Sequence, residues 1–367
     1  MSDKIKIGII GCGQIAQHHM RTYKGIADAE MVAFCDIDPA AAEKANAEFG
    51  PGLVTTDFRE VLAREDIDAV DVCLHNNFHS PVTVAALNAG KHVYCEKPMA
   101  GSYVDAVAMM DASKATGKKL HIQFVTLHSN EARAAKQLID EGHLGEVYHA
   151  RSTGFRRRGR PYVDGYGTPS FVQKAKASGG ALYDMGVYHI SQILWLMGNP
   201  RVERISGKTY QRIAMDAKRK EISGMDVEEF ATGLVRFAGD KSMDLTEAWA
   251  ANLDSFEGSY VLGDKGGVRV SPFGFFTNVG NIPINCTAEL GTARYIWDNV
   301  VGDGAMYGES QAHWIAALLG KCELMNTAEV ALQTMLVSDG IYLSQKLGRE
   351  VTVDEVLAAS VSTALPV

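Results

Sequence analysis

The sequence has no basic excess, no long apolar run and no paired cysteines, and each absence removes a class of protein. Lys and Arg number 36 against 44 Asp and Glu, a formal net charge of −8. A nucleic-acid partner is set aside, because binding one requires a basic face that neutralises phosphates. No apolar stretch approaches the ~18 residues of a membrane span. Met1-Ser2-Asp3-Lys4 leads straight into a strand-like segment, with neither the apolar core nor the small-residue cleavage site of a secretory signal. No membrane partner is expected, and a cytoplasmic location is. The six cysteines (Cys12, Cys35, Cys73, Cys95, Cys286 and Cys322) form no CxxC pair, and four lie in or beside strand-like runs. They read as reduced core residues, so neither a disulfide framework nor a zinc site is expected, and the expected metal content is none. There is no internal repeat and no low-complexity tract.

What is present is ordinary for a globular chain: 46% apolar and 22% charged residues over 367 positions. At ~100–200 residues per domain, that length implies two domains. The first part alternates short apolar runs at 5–10, 31–35, 69–74, 92–95 and 120–124 with helical patterns at 14–26, 39–49, 81–89, 103–116 and 132–141. Near-continuous apolar runs are what parallel strands buried on both faces look like. Pro39 and Pro81 suit first helical turns, with Asp38 and Ser80 as N-caps. The pattern predicts an α/β fold whose first domain is a doubly wound parallel sheet. After about Gly145, runs at 202–213, 229–237, 242–249 and 255–262 follow one another without helices, several alternating polar with apolar. That predicts an α+β second domain with a large, mostly antiparallel open sheet. Helices are expected at 183–197, 310–319 and 327–347. The boundary is drawn at 125/126, giving domains 1–125 and 126–367, with the last helices able to pack back on the first. The Gly/Pro-rich stretches 154–169 and 271–284 read as ordered loops or lids.

Three motifs carry chemistry. Gly11-Cys12-Gly13-Gln14-Ile15-Ala16 is a GxGxxA that follows the first strand and opens the first helix. Gly11 permits the tight turn, Gly13 lets a pyrophosphate approach the backbone, and Ala16 allows close packing. Asp36 ends the next strand, where a carboxylate accepts from ribose hydroxyls and repels a 2′-phosphate. The expected cofactor is therefore NAD, with NADP disfavoured. Second, Glu96-Lys97-Pro98 closes the 91–95 run, at a carboxyl strand end where ligands sit in such sheets. An ordinary surface turn is the alternative. Third, a flexible pair Gly179-Gly180 leads into a helix start bearing Asp184, Tyr188 and His189. Asp184 and Tyr188 share a face at i, i+4, and His189 points about 100° away. A nearby cation such as Lys97 would lower the phenol's pKa. A core helix with satisfied polar groups is the competing reading.

Together these motifs resemble the glucose-fructose oxidoreductase/inositol dehydrogenase/rhizopine-catabolism family, written Gfo/Idh/MocA. Leu74-His75-Asn76-Asn77-Phe78-His79 is similar to the family's TPNxxH loop, with His75 where Pro is usual. Ala89-Gly90-Lys91-His92-Val93 resembles its lead into EKP, and 138–145 its crossing into the second domain. The resemblance implies a Rossmann domain joined to an α/β domain whose open sheet often serves oligomerisation, so a homo-oligomer (dimer or tetramer) is expected. It implies an active site in the cleft, with catalytic Lys97, Asp184 and Tyr188, and with His189 as second choice for the proton acceptor. Most members carry His at the Tyr188 position. Cofactor contacts are expected at Gly11, Gly13, Gln14, Ile15, Asp36, Asn76, His79, Glu96 and Lys97. Val125 and Leu127 stand where many members have Asn and Arg, so contacts made there in relatives are expected to be absent.

The loop Phe155-Arg156-Arg157-Arg158-Gly159-Arg160 packs four arginines into five residues. A solvated face, a cofactor lid and a substrate-reading surface compete. Arg158, Arg160 and Tyr166 are the substrate candidates, together with His313. The small-molecule partner implied is a sugar, glycoside or inositol-like polyol, oxidised at a secondary hydroxyl. Alternatives are an NAD-dependent glycosidase, a cofactor-recycling sugar oxidoreductase, and a non-catalytic NAD- and sugar-sensing regulator.

Overall fold

The computed structural model describes residues 4–302 and 308–367. Six parallel strands form the first sheet: β1 (Ile5–Ile10), β2 (Ala29–Cys35), β3 (Leu53–Thr55), β4 (Ala69–Val72), β5 (His92–Cys95) and β6 (Leu120–Ile122), in the order β3-β2-β1-β4-β5-β6. The order reverses between β1 and β4, so a crevice opens at the carboxyl ends of those strands. β3, only three residues long, is too short to show a hydrophobic period in the sequence. Asp38 caps the helix Pro39–Phe49 as expected, accepting from Ala40 N–H at 3.1 Å.

One helix start differs from expectation. The segment Asn76–Asn88 is helical throughout and Pro81 lies inside it, so Ser80 is not an N-cap; its hydroxyl donates to the Asp105 carbonyl at 3.0 Å. Proline in a helix leaves the carbonyl four residues earlier without its N–H partner. Here that carbonyl belongs to Asn77, and Leu365 N–H from the end of the chain donates to it at 3.0 Å. A distant segment therefore completes the helix.

Nine strands form the second sheet: β7 (Val147–Phe155), β8 (Val202–Tyr210), β9 (Phe230–Phe237), β10 (Lys241–Ala248), β11 (Tyr260–Gly263), β12 (Gly266–Arg269), β13 (Gly274–Val279), β14 (Ile282–Cys286) and β15 (Val351–Thr352). Their order is β14-β13-β12-β11-β7-β10-β9-β8-β15, antiparallel except for the parallel pair β7–β10. The expected loop at 271–284 is largely the β13–β14 hairpin, in which Phe275 pairs with Cys286 and Val279 with Ile282. Its half-exposed strands lack a clean apolar alternation, which hid them. The helices Val187–Leu196 and Thr327–Leu347 bury Ile190, Ile193, Val337 and Ile341 against one face.

Residues at the starts of the helices Ser310–Leu318 and Thr327–Leu347 bond to the first sheet. Tyr94 on β5 donates to Ser310 Oγ at 2.8 Å, and Ile122 N–H on β6 donates to Thr327 Oγ1 at 2.9 Å. Among the described residues, no helix is long and apolar enough to cross a membrane.

Candidate active site

The crevice above β1 and β4 is shaped for a dinucleotide. Gly11 sits at φ +91°, and a Cβ there would lie 2.3 Å from the Cys73 carbonyl oxygen, so only glycine fits. At Gly13 the Cβ direction is open, with nothing within 4 Å. Among the described residues no side chain caps the helix Gln14–Lys24 that Gly13 begins. Its first amides stand at the positive end of the helix without a capping acceptor, as a pyrophosphate requires. Asp36 accepts from Cys12 N–H at 2.7 Å and Asp38 N–H at 2.9 Å, which fixes its carboxylate at the end of β2. These residues fit a bound nicotinamide dinucleotide.

A cleft of about 210 Å³ continues from this crevice, and Ile15, Asn76, Glu96, Lys97, Asp184 and Tyr188 are among the residues that line it. A larger groove of about 650 Å³ crosses β11–β14 and shares no lining residue with it. Lys97 follows β5, and its ammonium donates to Asp184 Oδ1 at 3.0 Å and to the Asp184 carbonyl at 2.9 Å. The same Nζ lies 4.6 Å from the centre of the Tyr188 ring. Burial works against the Lys97 ammonium, but Asp184, Tyr188 and Glu96 outweigh it and hold the group above its usual range. Burial likewise opposes the Asp184 carboxylate, and Lys97, Arg156 and Trp249 together keep it below the ordinary range. Tyr188 departs from the simple expectation. Lys97 pulls its phenol down, yet burial and the Glu96 and Asp184 charges push it above the usual value. The phenol keeps its proton at neutral pH.

Several groups that hold this cluster gave no motif in the sequence. Trp249, fully buried just after β10, donates Nε1–H to Asp184 Oδ2 at 3.1 Å. Glu228 accepts from Gly180 N–H at 2.9 Å, from Leu182 N–H at 3.0 Å and from the Tyr342 hydroxyl at 2.9 Å, which anchors the turn into the Asp184 segment. Asp339 accepts from the Tyr183 hydroxyl beside it. The glycine pair therefore answers to packing and not to flexibility: a Cβ at Gly180 would stand 1.9 Å from the Glu228 carbonyl oxygen. The segment Leu182–Gly186 is a π-helical turn, a feature often found at functional sites, and it runs into the helix Val187–Leu196. The one available signal was Glu228 itself, a carboxylate at the edge of an apolar strand pattern.

The remaining candidates divide. His189 lies apart from Lys97: its Nδ1–H donates to the buried Glu247 at 2.9 Å. Burial disfavours its charge, but Glu247 prevails and raises its pKa. Among the four arginines of the loop, Arg156 approaches the cluster, 3.8 Å from Asp184 Oδ2, and it donates to the Tyr166 hydroxyl. Tyr166 thus stands beside the cluster, whereas the two arginines singled out in the sequence do not. Arg160 is buried in ion pairs with Asp164 (2.9 Å) and Glu229 (3.0 Å), and Arg158 is exposed and donates to the Ala214 carbonyl at 3.2 Å. His313 is fully buried, and its Nε2 accepts Met325 N–H at 2.8 Å; it is a core residue. His79 is also fully buried, its ring nitrogens on the Pro98 carbonyl (2.7 Å) and the Leu74 carbonyl (3.0 Å), so it braces the Glu96-Lys97-Pro98 turn and offers the cofactor no ring edge. Asn76 lines the cleft while its Nδ2 donates across to the Ala177 carbonyl at 2.8 Å. Gln14 and Ile15 lie in the first turn above Gly13, with Ile15 partly exposed to the cleft. Val125 is exposed and Leu127 fully buried, so neither supplies a polar group here. His19, Asp71 and Cys73 bring donor atoms within 4.8 Å of one another, a closeness that hydrogen bonds among them explain.

Both halves of the chain match known families. Residues 5–124 match the oxidoreductase family with NAD-binding Rossmann fold, and residues 132–269 match the GFO/IDH/MocA C-terminal domain. The chain belongs to the Gfo/Idh/MocA family of oxidoreductases. Within it, the chain is 27% identical to a D-glucoside 3-dehydrogenase of Escherichia coli (strain K12) over 358 residues, covering 95% of this chain and 98% of the relative. An inositol 2-dehydrogenase of Rhizobium meliloti (strain 1021) is 31% identical over 198 residues, which cover 54% of this chain and 56% of that relative. Among solved structures, the WlbA dehydrogenase from Bordetella pertussis in complex with NADH and UDP-GlcNAcA superposes with a TM-score of 0.77 over 96% of this chain and 99% of that chain, at 24% identity. It shares the fold.

Proposed function

We propose that this oxidoreductase is an NAD-dependent dehydrogenase that oxidises a secondary hydroxyl of a sugar, glycoside or cyclic polyol to the ketone. One observation carries the reading: Lys97, Asp184 and Tyr188 meet in a cleft that opens from the dinucleotide crevice. The sugar and polyol substrates of its dehydrogenase relatives support the substrate class. Gly11, Gly13, Gln14, Ile15, Asp36 and Glu96 would hold the dinucleotide, and its nicotinamide ring accepts the hydride when bound. Asp36 favours NAD, because its fixed carboxylate would repel a 2′-phosphate. Residues 1–125 then serve the cofactor and 126–367 the substrate.

In this reading the Lys97 ammonium donates to the reacting oxygen and stabilises its alkoxide character. Asp184, kept ionised by Lys97, accepts from a neighbouring hydroxyl and so selects the reacting carbon. Tyr188 is the proton carrier in preference to His189, whose Nδ1 is tied to the buried Glu247 and whose pKa that carboxylate raises. Arg156, and not Arg158 or Arg160, presents donors on the far side of Asp184 to a further substrate oxygen. A homo-oligomer formed through the open face of the second sheet, in the cytoplasm, completes the proposal. A panel of methyl glycosides, inositols, aldoses and sugar acids, assayed with NAD and NADP in parallel, tests it. The expected result is NADH formation with a glycoside or polyol and at least ~10-fold preference for NAD, the cost of about 1.4 kcal/mol at one repelled phosphate. No turnover on any panel member with either cofactor overturns it, and sedimentation at a single-chain mass overturns the oligomer.

A further inference from the structure

A fully enclosed histidine of the first domain is joined through Glu96 to the turn that carries the proposed catalytic lysine. His19, on the second turn of the helix Gln14–Lys24, is fully buried. Its Nδ1 is 2.9 Å from Asp71 Oδ2 and its Nε2 is 2.9 Å from Glu96 Oε1. Asp71 belongs to β4, where it stands fully buried in an otherwise apolar strand, and Glu96 follows β5. With both acids ionised they only accept, so the two contacts put a proton on each ring nitrogen, which is the imidazolium. The other oxygen of Glu96 accepts the Lys97 backbone N–H at 3.0 Å. Cys73 completes the chain on the inner side, donating to Asp71 Oδ1 at 3.2 Å. The groups facing His19 are thus Asp71 on β4, Cys73 just after it, Tyr94 on β5 with its ring centre 5.6 Å away, Glu96 after β5, and His18 on its own helix at 6.5 Å.

Two buried carboxylates against one imidazolium leave a net negative charge, and Lys97 is the cation next along the chain from Glu96. Glu96 is also a cleft-lining residue, so its charge acts on both Lys97 and the Tyr188 phenol, raising each. A carboxylate enclosed this deeply stays ionised only while it is paired. Burial alone would push Glu96 up, and the bond and charge from His19 bring it below its usual range.

We propose that His19 is a positioning residue: clamped as an imidazolium between Asp71 and Glu96, it keeps the Glu96 carboxylate charged and fixed next to Lys97, and so sets the charge against which Lys97 and Tyr188 work. This rests on the catalytic reading of Lys97 and Tyr188 given above. It implies that removing His19's charge lets Glu96 take up a proton, and that the Tyr188 phenol then titrates at lower pH.

The test uses His19→Gln, Glu96→Gln and the double variant, with kcat, KM, NADH dissociation constant, Tm and the pH profile of kcat for each. His19→Gln is expected to lower kcat at least ~10-fold with sugar KM within ~3-fold, and to move the alkaline limb to lower pH. Glu96→Gln moves the limb the same way, and the double variant is no worse than Glu96→Gln alone, because both break one chain. Separately, 15N-histidine NMR of the cofactor-free protein is expected to show both His19 ring nitrogens protonated at pH 8. A neutral His19 ring at pH 8 overturns the proposal. So does a His19→Gln protein with lowered Tm but unchanged kcat and pH profile. Should His19→Gln not fold, the direction of the limb in Glu96→Gln decides. A wild-type protein that turns over no substrate would sink the catalytic reading instead, and the NMR result would still judge the clamp.

Discussion

Replacing Lys97 by Met should reveal the Lys97–Asp184 pair as an electrostatic unit. The two side chains keep 13% and 18% of their exposure, so they are mostly, not wholly, withdrawn from water. Removing one partner of a buried pair costs ~3–5 kcal/mol because the other charge is left uncompensated. With some cleft water present, we expect about 3 kcal/mol for Lys97→Met at pH 7. Asp184→Asn should cost less, since Lys97 keeps the residue-184 carbonyl and Glu96. The double variant Lys97→Met/Asp184→Asn should be more stable than Lys97→Met, a coupling of at least ~1.5 kcal/mol. The pH dependence follows from the sign of each shift. Asp184's pKa is depressed in the folded wild type, so its contribution is present above its unfolded value near ~3.9 and is lost as pH falls through the folded one. Without Lys97, burial raises the Asp184 pKa, and acidification below about 4 relieves the penalty. Urea unfolding at pH 7 and pH 3.5 measures both effects. Additive variants within ~0.5 kcal/mol, or a Lys97→Met deficit that does not shrink on acidification, would refute the reasoning.

Three further outcomes follow from the same geometry. Because burial and two carboxylates hold the Tyr188 phenol above its ordinary value of 10, alcohol oxidation should climb with pH across the neutral range without a plateau, and Tyr188→Phe should abolish that limb; a wild-type profile already flat at pH 8 contradicts this. Gly11→Ala places a methyl 2.3 Å from the Cys73 carbonyl at φ +91° and should lose at least ~2 kcal/mol of stability. Gly13→Ala, by contrast, meets open space, so it should melt like wild type while binding NAD at least ~10-fold more weakly, about 1.4 kcal/mol; equal melting losses in the two would be the wrong result. Burial, and then His313, push the His128 imidazole down from 6.5 to about 4, so the unfolded chain takes that proton first as pH falls. Stability from this group is complete above pH 6.5 and declines towards pH 4, by up to about 3 kcal/mol; His128→Gln should flatten that part of the urea-midpoint profile, and an unchanged slope would count against it.

How much of this was legible beforehand follows the range of the interactions. The Gly11–Asp36 crevice was readable because local backbone needs dictate those residue types at short spacing. Lys97 was marked by its strand end and Asp184 and Tyr188 by their shared helix face, but their meeting in one cleft followed from family resemblance, since no linear pattern joins residues so far apart. The supporting residues were hidden for the same reason: Trp249, Glu228 and Arg156 act through contacts made only after β10 lies parallel to β7 and the π-helical turn closes. Among the arginines, composition could mark the loop but not choose, because the choice depends on which guanidinium finds carboxylates at hand; Arg160 finds Asp164 and Glu229. Pro81 misled as a helix start because the N–H that replaces its missing bond comes from Leu365. His19 belongs to no motif, although Asp71, a carboxylate inside an apolar strand, was the sign that a partner had to lie beside it.

The central claim is that Lys97 acts on the reacting oxygen and not on the dinucleotide. Single-turnover oxidation of a methyl glucoside or inositol identified in the panel, at saturating NAD, with Lys97→Met beside wild type, tests it directly. A hydride-transfer rate at least ~10²-fold lower with an unchanged NADH dissociation constant is the predicted result. Transfer at the wild-type rate, or a loss explained entirely by weaker NADH binding, would contradict it.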